Sequence, residues 1–399
     1  MTAVLALWLV GQSISVLLVW RYTWQLGRPA LLDKEPRVVI VVSVKRYSID
    51  FDEFLESLFK QDYLNYRVIF AVEADSDPVV AAIEKRRMAD PERVKLVVAG
   101  FSIDEGQKVA NLRAAMAATA PADEILVLAD ADIWPERDWL RRLIGPINRG
   151  EADVITAYPW ILVQDRRLST LVLASISASI ATLPRLACLS AASGSSIAMR
   201  REQFGALGIL EAWRGAISDD LQLTNIAQRA NASIVLPRAL LLRTPTRTGG
   251  FADVIDQAQR WYMLVRIYRP ATYALAVGVA TVIATGWIGA ALATMAGRID
   301  GAITLVIGLA LAVLRTLAQA VLVVRLWGKA GFADNLRFLM ANPLVTPLAA
   351  IVNAAFVWSS LFMHRTTWGG ITYEVRGPQD TKVLSRTSPQ GSRRHDTTI

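Results

Sequence analysis

The chain carries one cysteine, Cys188, and two histidines, His364 and His395, among its 399 residues. A single thiol excludes an intrachain disulfide and any cysteine-rich metal site. Both histidines come late in the chain, so its long middle has none for a Ser–His–Asp hydrolase or a zinc centre. There is no nucleic-acid module and no basic stripe interleaved with aromatics. The formal net charge of +8 is instead assigned to juxtamembrane Lys and Arg facing anionic lipid, and nucleic acid is not an expected partner. What the chain has in excess is apolar. Its 53% hydrophobic residues and mean hydropathy of +0.34 are high for a soluble protein and point to a bilayer.

Residues 3–20, AVLALWLVGQSISVLLVW, approach the length that spans a hydrocarbon core. Arg21, Arg28, Lys34 and Arg37 follow and nothing basic precedes, the reverse of a cleavable signal peptide, and no small-residue cleavage site is present. Residues 1–24 are therefore expected to be an uncleaved transmembrane anchor, N-terminus outside, with the following domain cytoplasmic. A second membrane region, 270–365, holds three apolar stretches, 273–296, 302–326 and 342–363, with Arg325, Lys329 and Arg337 after the second. Three crossings would carry Arg365, Arg376, Lys382 and Arg386 outside, so one stretch is expected to be re-entrant or interfacial. From 378 to 399 the tail has no apolar period and is expected to be disordered.

Residues 37–265 have the grammar of an α/β domain. RVVIVVSV (37–44), YRVIFAVEAD (66–75), VKLVVAG (94–100), EILVLAD (124–130) and ADVITAYP (152–159) are short β-rich runs, with helical patterns such as FDEFLESLFKQ (51–61) between the early ones. This alternation predicts a mostly parallel sheet with helices on both faces, and such sheets bind ligands beyond the carboxyl ends of their strands.

With histidine and cysteine set aside, the chemistry rests on carboxylates. In LADADIWP (128–135) a hydrophobic run ends in Asp130 and Asp132, which face the same side if strand geometry persists. Two hard oxygen ligands at such an edge suit Mg²⁺ or Mn²⁺ bridging a diphosphate. An acidic strand-end turn is the plain alternative. Around this pair stand an acidic strand end with Glu73, Asp75 and Asp77, the stretch GQKVANL (106–112), SDDLQL with Asp219 and Asp220 (218–223), and QAQRW with Gln257, Arg260 and Trp261 (257–261).

In that order these elements resemble the processive and lipid-directed membrane glycosyltransferases of families 2 and 21. That group contains cellulose, chitin and hyaluronan synthases and the ceramide glucosyltransferases. The ceramide glucosyltransferases are the nearest, through QDYLNYRVIFAVEADSDP (61–78), SGSSIAMRREQF (193–204) and WGGITYEVRG (368–377) as well. The resemblance implies a GT-A (Rossmann-like) nucleotide-sugar domain between N-terminal and C-terminal transmembrane helices. It implies that Asp130 and Asp132 hold the diphosphate and its metal, and that Asp220 is the general base in an inverting hexose transfer. Glu73 or Asp75, Lys108 and Arg260 would contact the donor, and Gln257 and Trp261 the acceptor. VVSVKRYS (41–48) departs from the family's usual stretch, keeping only Lys45, and Ala74 stands where animal enzymes have aspartate. No histidine occurs in 177–190, near where those enzymes carry one, which leaves the acceptor open.

Several residues keep two readings. Asp219 is either a rival base or a helix cap. Arg260 and Trp261 suit pyrophosphate and sugar, or a membrane-interface anchor. Lys108 either touches phosphate or is solvated on a loop. The apolar segment 167–189 is either an interfacial element beside the acceptor or a core helix interrupted at Pro184. Arg315 and Gln319, one turn apart in a spanning stretch, line a polar path or a helix contact. The expected activity is transfer of one hexose from a nucleotide sugar such as UDP-glucose to a ceramide-like lipid. A processive polysaccharide synthase, a hopanoid or other lipid acceptor, and a silent scaffold are the alternatives. The expected location is a bacterial inner membrane, with the endoplasmic reticulum or Golgi as the alternative.

Overall fold

Uninterrupted Val, Ile and Leu runs have no polar face to leave in water, so they pair inside a sheet covered on both sides. The computed structural model describes residues 2–27, 35–183 and 190–387. Arg28, Lys34, Pro184, Cys188 and the tail from 388 lie outside the described residues. After helix α1 (Thr2–Trp24) come β1 (Val38–Ser43), α2 (Phe51–Phe59), β2 (Tyr66–Val72), α3 (Val79–Ala89), β3 (Val94–Val98), α4 (Gln107–Ala117) and β4 (Ile125–Ala129). Next are α5 (Trp139–Asn148), β5 (Val154–Val163), α6 (Leu168–Ala181), β6 (Ser196–Arg200), α7 (Arg201–Ala206), α8 (Ile209–Ala212), α9 (Asp219–Arg229), β7 (Ile234–Val235), β8 (Leu241–Thr246) and α10 (Phe251–Tyr268). Helices α11 (Pro270–Met295) and α12 (Ile299–Ser359) precede a small sheet, β9 (Arg365–Trp368), β10 (Ile371–Gly377) and β11 (Asp380–Arg386).

The main sheet runs β3-β2-β1-β4-β6-β5-β7, with β8 beside β5. Its pairings are parallel except those of β6, which lies antiparallel between β4 and β5. The five residues from Val38 to Val42 on β1 are wholly buried, and side chains alternate into two cores, one lined by Phe54, Leu58 and Trp139, the other by Leu112, Met116 and Trp213. Burying a Val or Ile stabilises by about 1.5–3 kcal/mol, so a charge at Ile40 would undo the sheet's centre.

Among the described residues three helices are long and apolar enough to cross a membrane: 3–24, 270–295 and 299–362. The last is two limbs, because Gly328 has φ 68° and ψ −159° and breaks the helix. Glycine alone adopts that conformation without strain. Asn342 donates to Thr316 and to Gln319, both at 3.0 Å, so the second limb folds back on the first. Near its start, Asn335 accepts from Trp160 and Arg337 donates to the Asp165 carbonyl. Near its end, Asn353 accepts from Tyr262, and the Val357 carbonyl from Tyr273. Both ends of this limb thus touch the α/β domain or the first turns of α11, and the stretch 342–363 belongs to a returning limb. In the bundle, Trp8 of α1 packs edge-on to Trp287 at 4.8 Å, over Gly286 and Gly308.

One expectation is corrected. The tail is not structureless from 378: Asp380–Arg386 forms β11, hydrogen-bonded antiparallel to β10. The turn at Gly377–Asp380 and the paired partner strand supply the order that a periodic apolar pattern does not. Of the two readings of the apolar segment 167–189, its described part follows the core helix: 168–181 is buried on most sides between β5 and α12.

Candidate active site

Strand β4 stops at Ala129, and Asp130 and Asp132 lie in the turn that follows, so the expected strand alternation does not extend through them. They nevertheless border one cleft. Its walls include Lys45 after β1, Lys108 and Asn111 of α4, Asp130 and Asp132, and Trp368 and Tyr373 of the C-terminal sheet. This is the carboxyl edge of the parallel strands, where the topology places a ligand site.

Lys108 organises the acidic groups. It sits in the first turn of α4, largely buried, not on a solvated loop. Its ammonium is 2.7 Å from Asp130 and 3.1 Å from Asp219. Burial opposes its charge, but Asp130, Asp219 and Asp220 outweigh that and raise its pKa above the usual lysine value. Gly194 closes the group: a Cβ there would lie 2.6 Å from Lys108 Nζ and 3.0 Å from Asp130 Oδ2. A side chain there would push the Lys108 ammonium off Asp130.

Burial and the neighbouring Asp130 push the Asp132 carboxyl well above the usual range, against the pull of Lys108. Asp219, on α9, is pushed up to about 6 by burial, which the Lys108 attraction only partly offsets. Ser218, not Asp219, caps α9, accepting from the Leu221 N–H. Asp220 is fixed from three directions. Its carboxylate accepts from the Gly194 N–H at 3.0 Å, from the Leu221 N–H at 2.7 Å and from the Ser218 hydroxyl. It is half-buried, behind Gly194 and Lys108, and is not itself a wall of the cleft.

The acidic strand end divides. Glu73 turns inward, taking Lys45 at 2.8 Å and Arg386 of β11 at 3.0 Å. Asp75 is exposed on the loop beyond. Asp77 accepts from the Arg46 and Val79 backbone N–H groups and so shapes the loops. Burial lowers the Lys45 pKa despite Glu73.

On α10, Arg260 is buried with its guanidinium 5.2 Å from the Trp368 ring, which joins it to the cleft wall, and burial lowers its pKa to about 10. Gln257, one turn earlier, is 4% exposed, and among the described residues neither its Nε2 nor its Oε1 has a partner. Trp261 faces the other way, half-buried against the core shared by α6, α10 and α12. Neither Gln257 nor Trp261 borders the cleft. Sequence reasoning did not single out Trp368 and Tyr373 within WGGITYEVRG, or Arg386. Only the return of the chain from the membrane helices brings them here.

Among the described residues no three acidic, His or Cys groups form a metal cage. Asp130 and Asp132 are two adjacent carboxylates served by one lysine, which leaves negative charge over. That donor set fits Mg²⁺ or Mn²⁺ completed by phosphate oxygens and water.

Comparison with solved structures bears on the architecture. The mannosyltransferase PcManGT from Pyrobaculum calidifontis, solved with GDP-Man and Mn²⁺, is 21% identical over 87% of this chain and 98% of its own, with a TM-score of 0.52. TarS 1–349 from S. aureus, in complex with UDP-GlcNAc, is 13% identical over 88% of this chain and 100% of its own, at 0.39. Glucosyl-3-phosphoglycerate synthase from Mycobacterium tuberculosis is 17% identical over 60% of this chain and 83% of its own, at 0.37. Among curated proteins none matches. The α/β unit has the GT-A fold of that mannosyltransferase. The model of glycosyl transferase family 21 matches residues 2–380, and the chain belongs to that family of glycosyltransferases.

Proposed function

We propose that the protein transfers one hexose from a nucleotide sugar, UDP-glucose or a close relative, to a hydroxyl of a membrane lipid at the cytoplasmic face, by a single inverting displacement. The observation that carries the reading is the convergence of Asp130, Asp219 and Asp220 on Lys108 and Gly194, beside Asp132 and an open cleft. Asp130 and Asp132 hold the donor diphosphate through Mg²⁺ or Mn²⁺. The divalent ion, when bound, offsets charge on the departing nucleotide. The Mn²⁺ and GDP-Man of PcManGT are consistent with such a donor site. Lys108 and Arg260 add positive charge, and Glu73, with Lys45 and Arg386, forms the far rim toward the nucleotide. Asp75, exposed, is the weaker of the two candidates there.

Asp220 is the general base. Three hydrogen bonds orient its carboxylate, and it takes the acceptor hydroxyl's proton as the oxygen attacks the anomeric carbon. Asp219 is spent on Lys108 and is too buried to meet an acceptor. Gln257 and Trp261, the expected acceptor contacts, lie off the cleft, Gln257 buried on α10 and Trp261 packed on the core of α6, α10 and α12, so they act on the acceptor only from behind its wall. The α/β unit lies in the cytoplasm, with α1, α11 and the first limb of α12 crossing the bilayer and the second limb returning the C-terminal sheet to the cleft. A bacterial inner membrane is the host this reading favours.

The test is sugar transfer by detergent-solubilised protein given UDP-glucose, UDP-galactose or UDP-N-acetylglucosamine, Mg²⁺ or Mn²⁺, and ceramide, hopanoid and diacylglycerol acceptors. A metal-dependent glycolipid, reduced roughly 10²–10⁴-fold by Asp220→Asn, is expected. A polymer would make the enzyme a processive synthase, and undiminished transfer by Asp220→Asn would remove the base.

A further inference from the structure

Tyr268 is the last residue of α10 and is 4% exposed. The helix stops there because Arg269, which precedes Pro270, leaves the helical region at φ −141° and ψ 66°. The phenol therefore stands at the joint where the α/β unit meets α11. A phenol has one hydrogen to donate and two lone pairs to accept with, and Tyr268 uses all of them. It donates to the Pro378 carbonyl at 2.8 Å and accepts from the Ile217 N–H at 3.2 Å and the Ser218 N–H at 3.4 Å. Its ring lies in a cluster with Ile217, Met263, Ile371 and Tyr373, and burial raises its pKa, which keeps the donated hydrogen in place.

Those two amides belong to the backbone just ahead of Asp219 and Asp220. Ser218 caps α9, and its hydroxyl donates to the Asp220 carboxylate. The same stretch also touches the start of α4, the helix that carries Lys108. The Gly106 N–H donates to the Ala216 carbonyl at 2.9 Å, and a Cβ on Gly106 would lie 2.8 Å from the Ile217 carbonyl oxygen. From the other side comes the turn between β10 and β11. A Cβ on Gly215 would lie 2.3 Å from the Gln379 carbonyl oxygen, and Gln379 Nε2 donates to the Arg214 carbonyl at 3.2 Å. The stretch 214–218 is thus clamped between α4 and that turn, and the Tyr268 hydroxyl is bonded to both the stretch and the turn.

Tyr268 does not border the cleft, and its oxygen is already fully bonded, so it meets neither donor nor acceptor. What it sets is position. A misplacement of about 1 Å in a catalytic group costs on the order of a hundredfold in rate.

We propose that Tyr268 is a positioning residue for Asp220, acting through the Ile217 and Ser218 amides and the Ser218 hydroxyl, with the Pro378 carbonyl fixing the phenol. The proposal rests on the reading of Asp220 as the base. It makes the orientation of that carboxylate depend on two segments far away in sequence, the α10–α11 joint and the turn of the C-terminal sheet.

Tyr268→Phe keeps the ring and removes the hydroxyl. In the full-length, detergent-solubilised protein, hydrogen exchange across 216–221, read by mass spectrometry without any substrate, should quicken, while exchange in β1 and β4 stays as it was. The variant's kcat should fall roughly tenfold to a hundredfold with donor KM held within about twofold, the pattern of an interaction expressed in the transition state alone. Tyr273→Phe is the comparison: it removes another buried phenol, bonded to the Val357 carbonyl at 2.7 Å, and should lower Tm with kcat unmoved. Asn225→Ala cuts the 3.0 Å bond from α9 to the Tyr268 carbonyl and should lower kcat in the same sense with the phenol intact, which keeps the test alive if Tyr268→Phe does not fold. Unchanged exchange across 216–221, an unchanged kcat, or an equal fall in kcat for Tyr273→Phe overturns the positioning role. Quickened exchange in a protein whose wild type transfers no sugar would uphold the hold of Tyr268 on this stretch and overturn the transfer reading instead.

Discussion

Replacing Lys108 with methionine leaves Asp130, Asp132, Asp219 and Asp220 without their shared cation. Methionine keeps most of the volume, so the effect is electrostatic. In the wild type the ammonium contacts Asp130 at 2.7 Å and Asp219 at 3.1 Å, with little solvent to screen either. Removing one partner of a buried pair costs about 3–5 kcal/mol, because the other charge stays buried. For a domain of this size that corresponds to a fall in Tm of roughly 6–20 °C. The sign with pH follows from Asp219, whose folded pKa of about 6 exceeds its ordinary 3.8. The folded state holds the extra proton between those values, so Asp219 costs stability as pH rises through that window. Without Lys108 the window extends upward, and the Tm deficit should be larger at about pH 7.5 than at about pH 5. Mg²⁺ should narrow the deficit by supplying positive charge to the same carboxylates. Differential scanning fluorimetry of both proteins at the two pH values, with and without Mg²⁺, reads all of this. An unchanged Tm, or a deficit independent of pH, would refute the claim that Lys108 neutralises the cluster.

Other outcomes follow from the same geometry. Ser218→Ala removes the α9 cap and one of three bonds to Asp220; it should cost about 1 kcal/mol in thermal unfolding and lower kcat more than it raises donor KM. Arg386→Ala cuts the bonds from β11 to Glu73 at 3.0 Å and to Gln107 at 2.8 Å, and should raise donor KM roughly tenfold, measured by initial rates. Gly308→Ala would bring a Cβ 2.3 Å from the Trp8 ring, and should destabilise the bundle by about 1–3 kcal/mol, read as a Tm shift with the donor KM unmoved.

The strands of the α/β unit were legible because a fully buried strand cannot hide its composition: Val38–Val42 and Ile125–Ala129 are apolar at every position. The apolar run 342–363 was legible only as a third separate stretch, and the break at Gly328 was not legible at all. The reversal is set by one residue's φ and by Asn335 and Asn353 finding partners far away in sequence. Strand β11 escaped notice because its order comes from pairing with β10, a non-local cause. Around the cleft, Asp130 and Asp132 could be picked out as a carboxylate pair at a strand end, whereas Lys108 and Asp220 were named through the family resemblance. What spacing could not reveal is that Asp219 is paired with Lys108, or that Trp368, Tyr373 and Arg386 border the same cleft, since these depend on where the membrane helices deliver the chain.

The position of β9–β11 at the end of the chain has a consequence for biosynthesis. A nascent chain that has finished its sheet, its aspartates and its anchor still lacks Trp368 and Tyr373 on one wall, and Arg386 beside Glu73. Those arrive only after α11 and both limbs of α12 have been synthesised. Completion of the cleft is therefore tied to completion of the long apolar helices, and a prematurely terminated product would carry Asp130, Asp132 and Asp220 without the walls that enclose them.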